Sequence, residues 1–226
     1  MTAPSAGIAE RLEGFDLGEY TRKNTRTLAI LGGAAFVVAA GVWLWITSAN
    51  RKEVFAQQAL GQARVSAENG NLPLAASDLA RLVERFGGTH AADEAAIMLA
   101  QVRLLQGQRD VAINDLQRFV RSRRPAYVRA SAYALLGNGL EDSGKLREAG
   151  EAYRQASAAT PLDFLRATYL LDAGRVLTAA GDTTGARAAY GEVLSKYGRL
   201  EQSTEARVRM AEIGGEVPAP PGPSFN

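Results

Sequence analysis

The chain has 226 residues, 46% hydrophobic and 22% charged, with 26 Lys and Arg against 24 Asp and Glu, a formal net charge of +2 and a pI of about 9.0. It has no cysteine and one histidine, which excludes disulfide scaffolds, zinc sites built from Cys and His, and a Cys/His nucleophile pair. So small a basic excess does not suit a dedicated nucleic-acid binder, and the length suits one large domain or a smaller one with extensions.

Residues 1–26 read as a short leader carrying Arg11, Arg22, Lys23 and Arg26. Residues 27–47 hold the strongest signal in the chain, since Leu28 to Ile46 (LAILGGAAFVVAAGVWLWI) runs without a charge, an amide or a proline. At roughly 1.5 Å per residue this stretch reaches about 28 Å, close to the hydrocarbon thickness of a bilayer. Trp43 and Trp45 stand at one end, where indoles favour the headgroup level. A soluble core helix would show a polar face and would be weakened by Gly32 and Gly33. A cleaved signal peptide usually has a shorter apolar run and leader, although Thr47-Ser48-Ala49 could serve as a cleavage site. The reading is a single transmembrane helix. Arg11, Arg22, Lys23 and Arg26 precede it and Arg51, Lys52 and Arg64 follow it. That asymmetry, concentrated between Arg22 and Arg26, places the N-terminus in the cytoplasm and the remainder outside it.

Residues 48–213 repeat with a period of 37. Gly70, Gly107, Gly144 and Gly181 are followed five residues later by Ala75, Ala112, Ala149 and Ala186, and four residues further on by Leu79, Leu116, Tyr153 and Tyr190. Apolar residues recur at three and four, so each unit reads as a helical hairpin. The glycine ends its first helix, the alanine sits where the two helices cross, and the Leu or Tyr fills the groove between them. No Gly or Pro separates Ile46 from Gly61, so the membrane helix is expected to run into the first repeat helix. Met210-Ala211 repeats Ala173-Gly174 with no second helix after it, which predicts a capping helix from Glu205 to Ile213. Residues 214–226 form a Pro-rich tail expected to be disordered.

The third unit, with Tyr133, Leu136-Gly137, Leu140, Gly144, Ala149, Tyr153, Ala156 and Pro161, resembles the tetratricopeptide repeat (TPR) at every spacing. The fourth unit matches with Gly174, Leu177, Gly181, Ala186 and Tyr190. The second has Arg103, and the first Ser66, where a large apolar residue is usual. The expected fold is all-α: an N-terminal transmembrane helix, then a TPR-like solenoid of four hairpins plus a capping helix.

Catalytic signatures are missing: there is no phosphate-binding Gly-rich loop, no G-x-S-x-G elbow and no H-E-x-x-H motif. His90 falls in the polar turn GGTH and reads as exposed and passive. Glu141 and Asp142 are helix neighbours about 100° apart and do not converge on a substrate. Arg118, Arg121, Arg123 and Arg124 close a second helix, where cations oppose its dipole. The chain is therefore read as a non-enzyme without metal, cofactor or nucleic-acid partner.

In TPR solenoids the inner surface is lined by alternate positions of the first helices. The resemblance implies a lining of Gln57, Leu60, Arg64 and Glu68 in the first unit and Glu94, Ile97, Gln101 and Leu104 in the second. It implies Ser131, Ala134, Asn138, Glu141 and Asp142 in the third, and Thr168, Leu171, Arg175 and Thr178 in the fourth. Arg64, Asn138 and Arg175 are too scattered for a carboxylate clamp, and the mixed lining suits an extended polypeptide or the flank of a membrane partner. A short leader, one apolar span ending in Trp-x-Trp and a degenerate TPR array together look like the ancillary subunit family of the bacterial SecYEG translocon. That resemblance implies a single-pass inner-membrane protein with periplasmic repeats, whose partners are translocon subunits, a membrane-anchored prolyl isomerase and exported polypeptides. The alternative expectation is a structural TPR adaptor for envelope assembly or cell division.

Overall fold

A computed structural model describes residues 25–217, so the expected leader lies almost wholly outside the described residues and the Pro-rich tail lies mostly outside them. Among the described residues there are nine helices and no strand. They are α1 (Thr25–Glu68), α2 (Leu72–Arg85), α3 (His90–Leu105), α4 (Arg109–Arg121), α5 (Ala126–Asp142), α6 (Leu146–Ala159), α7 (Asp163–Ala179), α8 (Thr183–Lys196) and α9 (Gln202–Glu212). The chain divides into two units between Lys52 and Glu53.

In the N-terminal unit, Ile30, Phe36, Trp43 and Trp45 are 66 to 74% exposed. None of the described side chains in this part of α1 is buried. Among the described residues α1 is the one helix long and apolar enough to cross a membrane. Its helix does not break at residue 47, consistent with the absence of Gly and Pro up to Gly61.

The second unit is a stack of hairpins closed by identical turns. Gly70, Gly107, Gly144 and Gly181 have φ between 73° and 78°, the left-handed region that only glycine enters without a Cβ penalty. One residue on, the N–H groups of Asn71, Gln108, Lys145 and Asp182 donate to the carbonyls of Ser66, Arg103, Leu140 and Leu177 at 2.8 to 2.9 Å. Each pair forms a Schellman cap that satisfies carbonyls left open at the helix end. Gly144→Ala is accordingly expected to destabilise the protein by about 1 kcal/mol. Thermal unfolding followed by circular dichroism should show Tm about 2–4 °C lower.

The repeat positions singled out by spacing are the core. Ala75, Ala112, Ala149 and Ala186 are fully buried, and Leu79, Leu116, Tyr153 and Tyr190 are at most 2% exposed. Each large residue has a small one opposite on the first helix. Ala63 and Ala100 share clusters with Leu79 and Leu116, whereas Gly137 and Gly174 lie under the rings of Tyr153 and Tyr190. The first two units thus pair Ala with Leu and the last two pair Gly with Tyr, conserving volume between helices.

Three expectations change in detail. The capping helix runs from Gln202 to Glu212, starting earlier than Glu205 because Ser203 is buried and its hydroxyl donates to the Gly198 carbonyl at 2.9 Å. His90 is the first residue of α3 and not a turn residue, because Thr89 is the N-cap and its Oγ1 accepts from Ala92 N–H at 3.1 Å. Arg118 and Arg121 lie in the last turn of α4, but Arg123 and Arg124 lie beyond its end, and Arg124 instead pairs with Asp93.

Candidate functional site

The 37-residue period places the expected lining residues in rows across the first helices α1, α3, α5, α7 and α9. One row is Gln57, Glu94, Ser131, Thr168 and Glu205; the next is Leu60, Ile97, Ala134, Leu171 and Val208; a third is Arg64, Gln101, Asn138, Arg175 and Glu212. A fourth holds Leu104, Glu141 and Thr178. Cross-helix contacts join different rows, and Gln202, which lies outside them, reaches Thr168. Arg64 pairs with Glu94, Arg175 pairs with Glu141, and Gln202 Nε2 donates to Thr168 Oγ1 at 3.3 Å.

Not every expected residue is presented to solvent. Leu60 is 2% exposed and Leu171 9%, so both belong to the core beneath the rows. Ile97, Leu104 and Ala134 are half-buried, while Gln57, Gln101, Ser131, Asn138 and Thr178 are exposed. Glu68 and Asp142 are exposed one position further round the helix than the row of Leu104, Glu141 and Thr178, and join none of these contacts.

The best-organised part joins the third and fourth units. Arg175 grips Glu141 with two hydrogen bonds, Nη1 to Oε1 at 2.5 Å and Nη2 to Oε2 at 2.9 Å. The Tyr153 hydroxyl donates to Asn138 Oδ1 at 2.5 Å and to Glu141 Oε2 at 3.2 Å. Asp172 lies 3.7 Å from Arg175 Nη2. The bond from Arg175 holds the Glu141 carboxyl below its ordinary value, against an opposing push from burial. Burial, reinforced by the Glu141 charge, raises the Tyr153 phenol and keeps it a hydrogen-bond donor. Burial also raises Asp172.

The depressed pKa of Glu141 stabilises the fold above the ordinary value of 4.5, and that contribution disappears as pH falls through the lower folded value. Asp172, with its pKa raised, acts in the opposite sense. Comparing Glu141→Gln with the parent separates the two: Tm of the parent should exceed that of the variant at pH 7, and the gap should close below pH 4.5.

Both expected cations of the surface, Arg64 and Arg175, are thus already paired with carboxylates of the neighbouring helix. Spacing alone did not single out the extension onto α9, where Glu205, Val208 and Glu212 continue the rows. A recess of about 860 Å³ opens there, lined by Thr168 and Leu171 of α7 and by Gln202, Glu205, Val208, Arg209 and Glu212 of α9. Adding 37 to Thr168, Leu171 and Arg175 would have found it. A second polar row was also missed: Glu53, His90 and Tyr127 are each 37 apart. Glu53 accepts from the N–H groups of His90 and Ala91 at 2.9 and 3.0 Å, capping α3 from α1, and His90 Nδ1 lies 3.0 Å from the Tyr127 hydroxyl.

Among the described residues no group of three His, Asp or Glu is placed to hold a metal ion. Exposed polar rows over an aliphatic floor offer a surface for hydrogen bonding to a polypeptide. Stacked hairpins with glycine-capped first helices and this polar ladder define a TPR-type protein-interaction solenoid. The chain belongs to the tetratricopeptide repeat-like domain family, which it matches over residues 19–214.

No curated protein matches it in sequence. Solved structures similar to it include a Podospora anserina protein with nearly identical TPR-like repeats, at 17% identity and a TM-score of 0.54 over 70% of this chain and 84% of that one. The MamA protein is similar at 19% identity and a TM-score of 0.53, over 70% and 82% of the two chains. A tetratricopeptide repeat protein from Parabacteroides merdae gives 10% identity and a TM-score of 0.56, over 70% and 60%. At these identities the likeness is one of fold. Proteins of this family are generally scaffolds that bind other proteins, and no catalytic family is indicated.

Proposed function

We propose that this protein is an accessory, chaperone-like subunit of the bacterial protein export machinery, anchored by one transmembrane helix at Leu28–Ile46. Its N-terminus lies in the cytoplasm and its repeats in the periplasm. There the rows around Glu94, Gln101, Asn138, Glu141, Arg175 and Thr178 receive segments of exported polypeptide, while translocon subunits and a membrane-anchored prolyl isomerase stand alongside. The reading rests on one observation: an apolar stretch of bilayer length and the first ladder residues, Gln57 and Arg64, share the unbroken helix α1. A repeat scaffold with such an anchor works on partners at a membrane, and the Trp-x-Trp end and degenerate repeats resemble those of the translocon ancillary family. Purification from mildly solubilised membranes is expected to recover translocon subunits with the prolyl isomerase. Recovery of cell-wall or division proteins alone would overturn this reading in favour of an envelope adaptor.

A further inference from the structure

A second cleft lies away from the first-helix rows, between α2 and α4, with α3 as its floor. Its volume is about 420 Å³, and its apolar lining includes Val83, Ala96, Leu99 and Phe119. A cleft of about 380 Å³ lies at the equivalent place two units on, between α6 and α8 over Leu170, but there Ser157, Glu192 and Lys196 stand where this one has Val83, Arg118 and Ser122. The second unit also departs from the later ones at two positions of the cleft floor. Where the third and fourth units have Tyr133 and Leu170, the second has Ala96; where they have Leu140 and Leu177, it has Arg103. Tyr133 packs against its core cluster, whereas the second unit has no side chain beyond Cβ at that position, and Phe119 of α4 lines the cleft where the later units have Ala156 and Val193. Arg103 is half-buried and answered by Asp115, at the position of Ala152 and Ala189 in the later units.

The rim is cationic. Arg103, Arg118 and Arg124 line it against Asp115 and Glu84. Asp115 is shared between Arg103 and Arg118, and Arg124 stacks on Phe119 at 5.6 Å. Arg118 is 72% exposed, so its pairing with Asp115 is worth little and can be exchanged for an outside carboxylate. Arg121 and Arg123, both exposed, add charge beside the cleft and have no carboxylate partner among the described residues.

We infer that this cleft is a docking socket for a partner polypeptide that inserts one aromatic side chain, with acidic residues flanking it to meet the arginines. The ring takes the place Tyr133 occupies one unit later, and burying it supplies the affinity. The flanking carboxylates exchange with Asp115 for Arg118 and reach Arg121, which adds register and association rate. The cations surround a hole between helices instead of forming a flat plane, which favours an inserted side chain over a lipid surface.

The test uses the full chain in phosphatidylcholine nanodiscs and a fluorescein-labelled decapeptide with one Phe flanked by aspartates, read by fluorescence anisotropy. Binding should be saturable and should weaken at least ten-fold when the peptide Phe becomes Ala. It should weaken similarly with Ala96→Phe, which fills the socket, and with Ala96→Tyr, which copies Tyr133 of the third unit; circular dichroism checks that both fold. Arg118→Glu combined with Arg121→Glu should weaken it as well. Failure of the peptide to bind, binding indifferent to both the peptide Phe and residue 96, or Ala96-dependent binding of phosphatidylglycerol vesicles in place of the peptide would overturn the proposal.

Discussion

Gly174→Ala is expected to destabilise the protein by about 2 kcal/mol, although alanine is the better helix former. A Cβ at Gly174 would stand 2.3 Å from the Tyr190 ring, and that ring is 1% exposed between α7 and α8. Overpacking of this kind costs about 1–3 kcal/mol, and the close approach puts the case at the upper end; helix propensity returns about 1 kcal/mol. The informative variant is the double substitution Gly174→Ala with Tyr190→Leu, which installs the Ala/Leu pairing of the first two units. It should unfold at a higher temperature than Gly174→Ala alone. A double variant no more stable than Gly174→Ala would show that the pairing is not what sets volume between the helices.

Arg124→Ala should cost about 3 kcal/mol, because Asp93 is only 5% exposed and would lose its ion partner. Arg124 also leaves the face of Phe119, losing a cation–π contact of about 0.5–1 kcal/mol. Burial already raises the Asp93 carboxyl even with the opposing attraction of Arg124. Without the guanidinium that carboxyl rises further, so the folded variant takes up a proton more readily than the unfolded chain. Its deficit relative to the parent should therefore shrink as pH falls from 7 toward 4.5. Urea unfolding at several pH values measures this, and adding Asp93→Ala should recover part of the loss at pH 7.

The hairpin architecture was legible because it rests on spacing and on residue types with few substitutes. A left-handed turn asks for glycine and a tight crossing asks for alanine, so Gly70, Gly107, Gly144 and Gly181 with the alanines five residues on fixed the units and their core. Polar pairing was less legible. Arg64 with Glu94 and Arg175 with Glu141 join residues 30 and 34 apart, off the exact period, and no local pattern signals such long-range partners. Leu60 and Leu171 read as lining residues, but in the first and fourth units that position sinks into the core. His90 looked like a turn residue because the polar run GGTH hides an N-cap at Thr89, one residue before the helix. The capping helix is legible in register, but its surface at Glu205, Val208 and Glu212 is not, because a helix with no partner after it reads as a cover for the fourth unit.

The central claim, a membrane-anchored repeat scaffold facing the periplasm, is tested most directly by protease accessibility. An epitope fused after Asn226 is followed in intact spheroplasts exposed to external protease, with a cytoplasmic protein as the control for sealing. The epitope and repeats are expected to be digested while the control survives. An epitope protected until the membrane is opened would contradict the claim, placing the repeats in the cytoplasm and removing exported polypeptides as their partners.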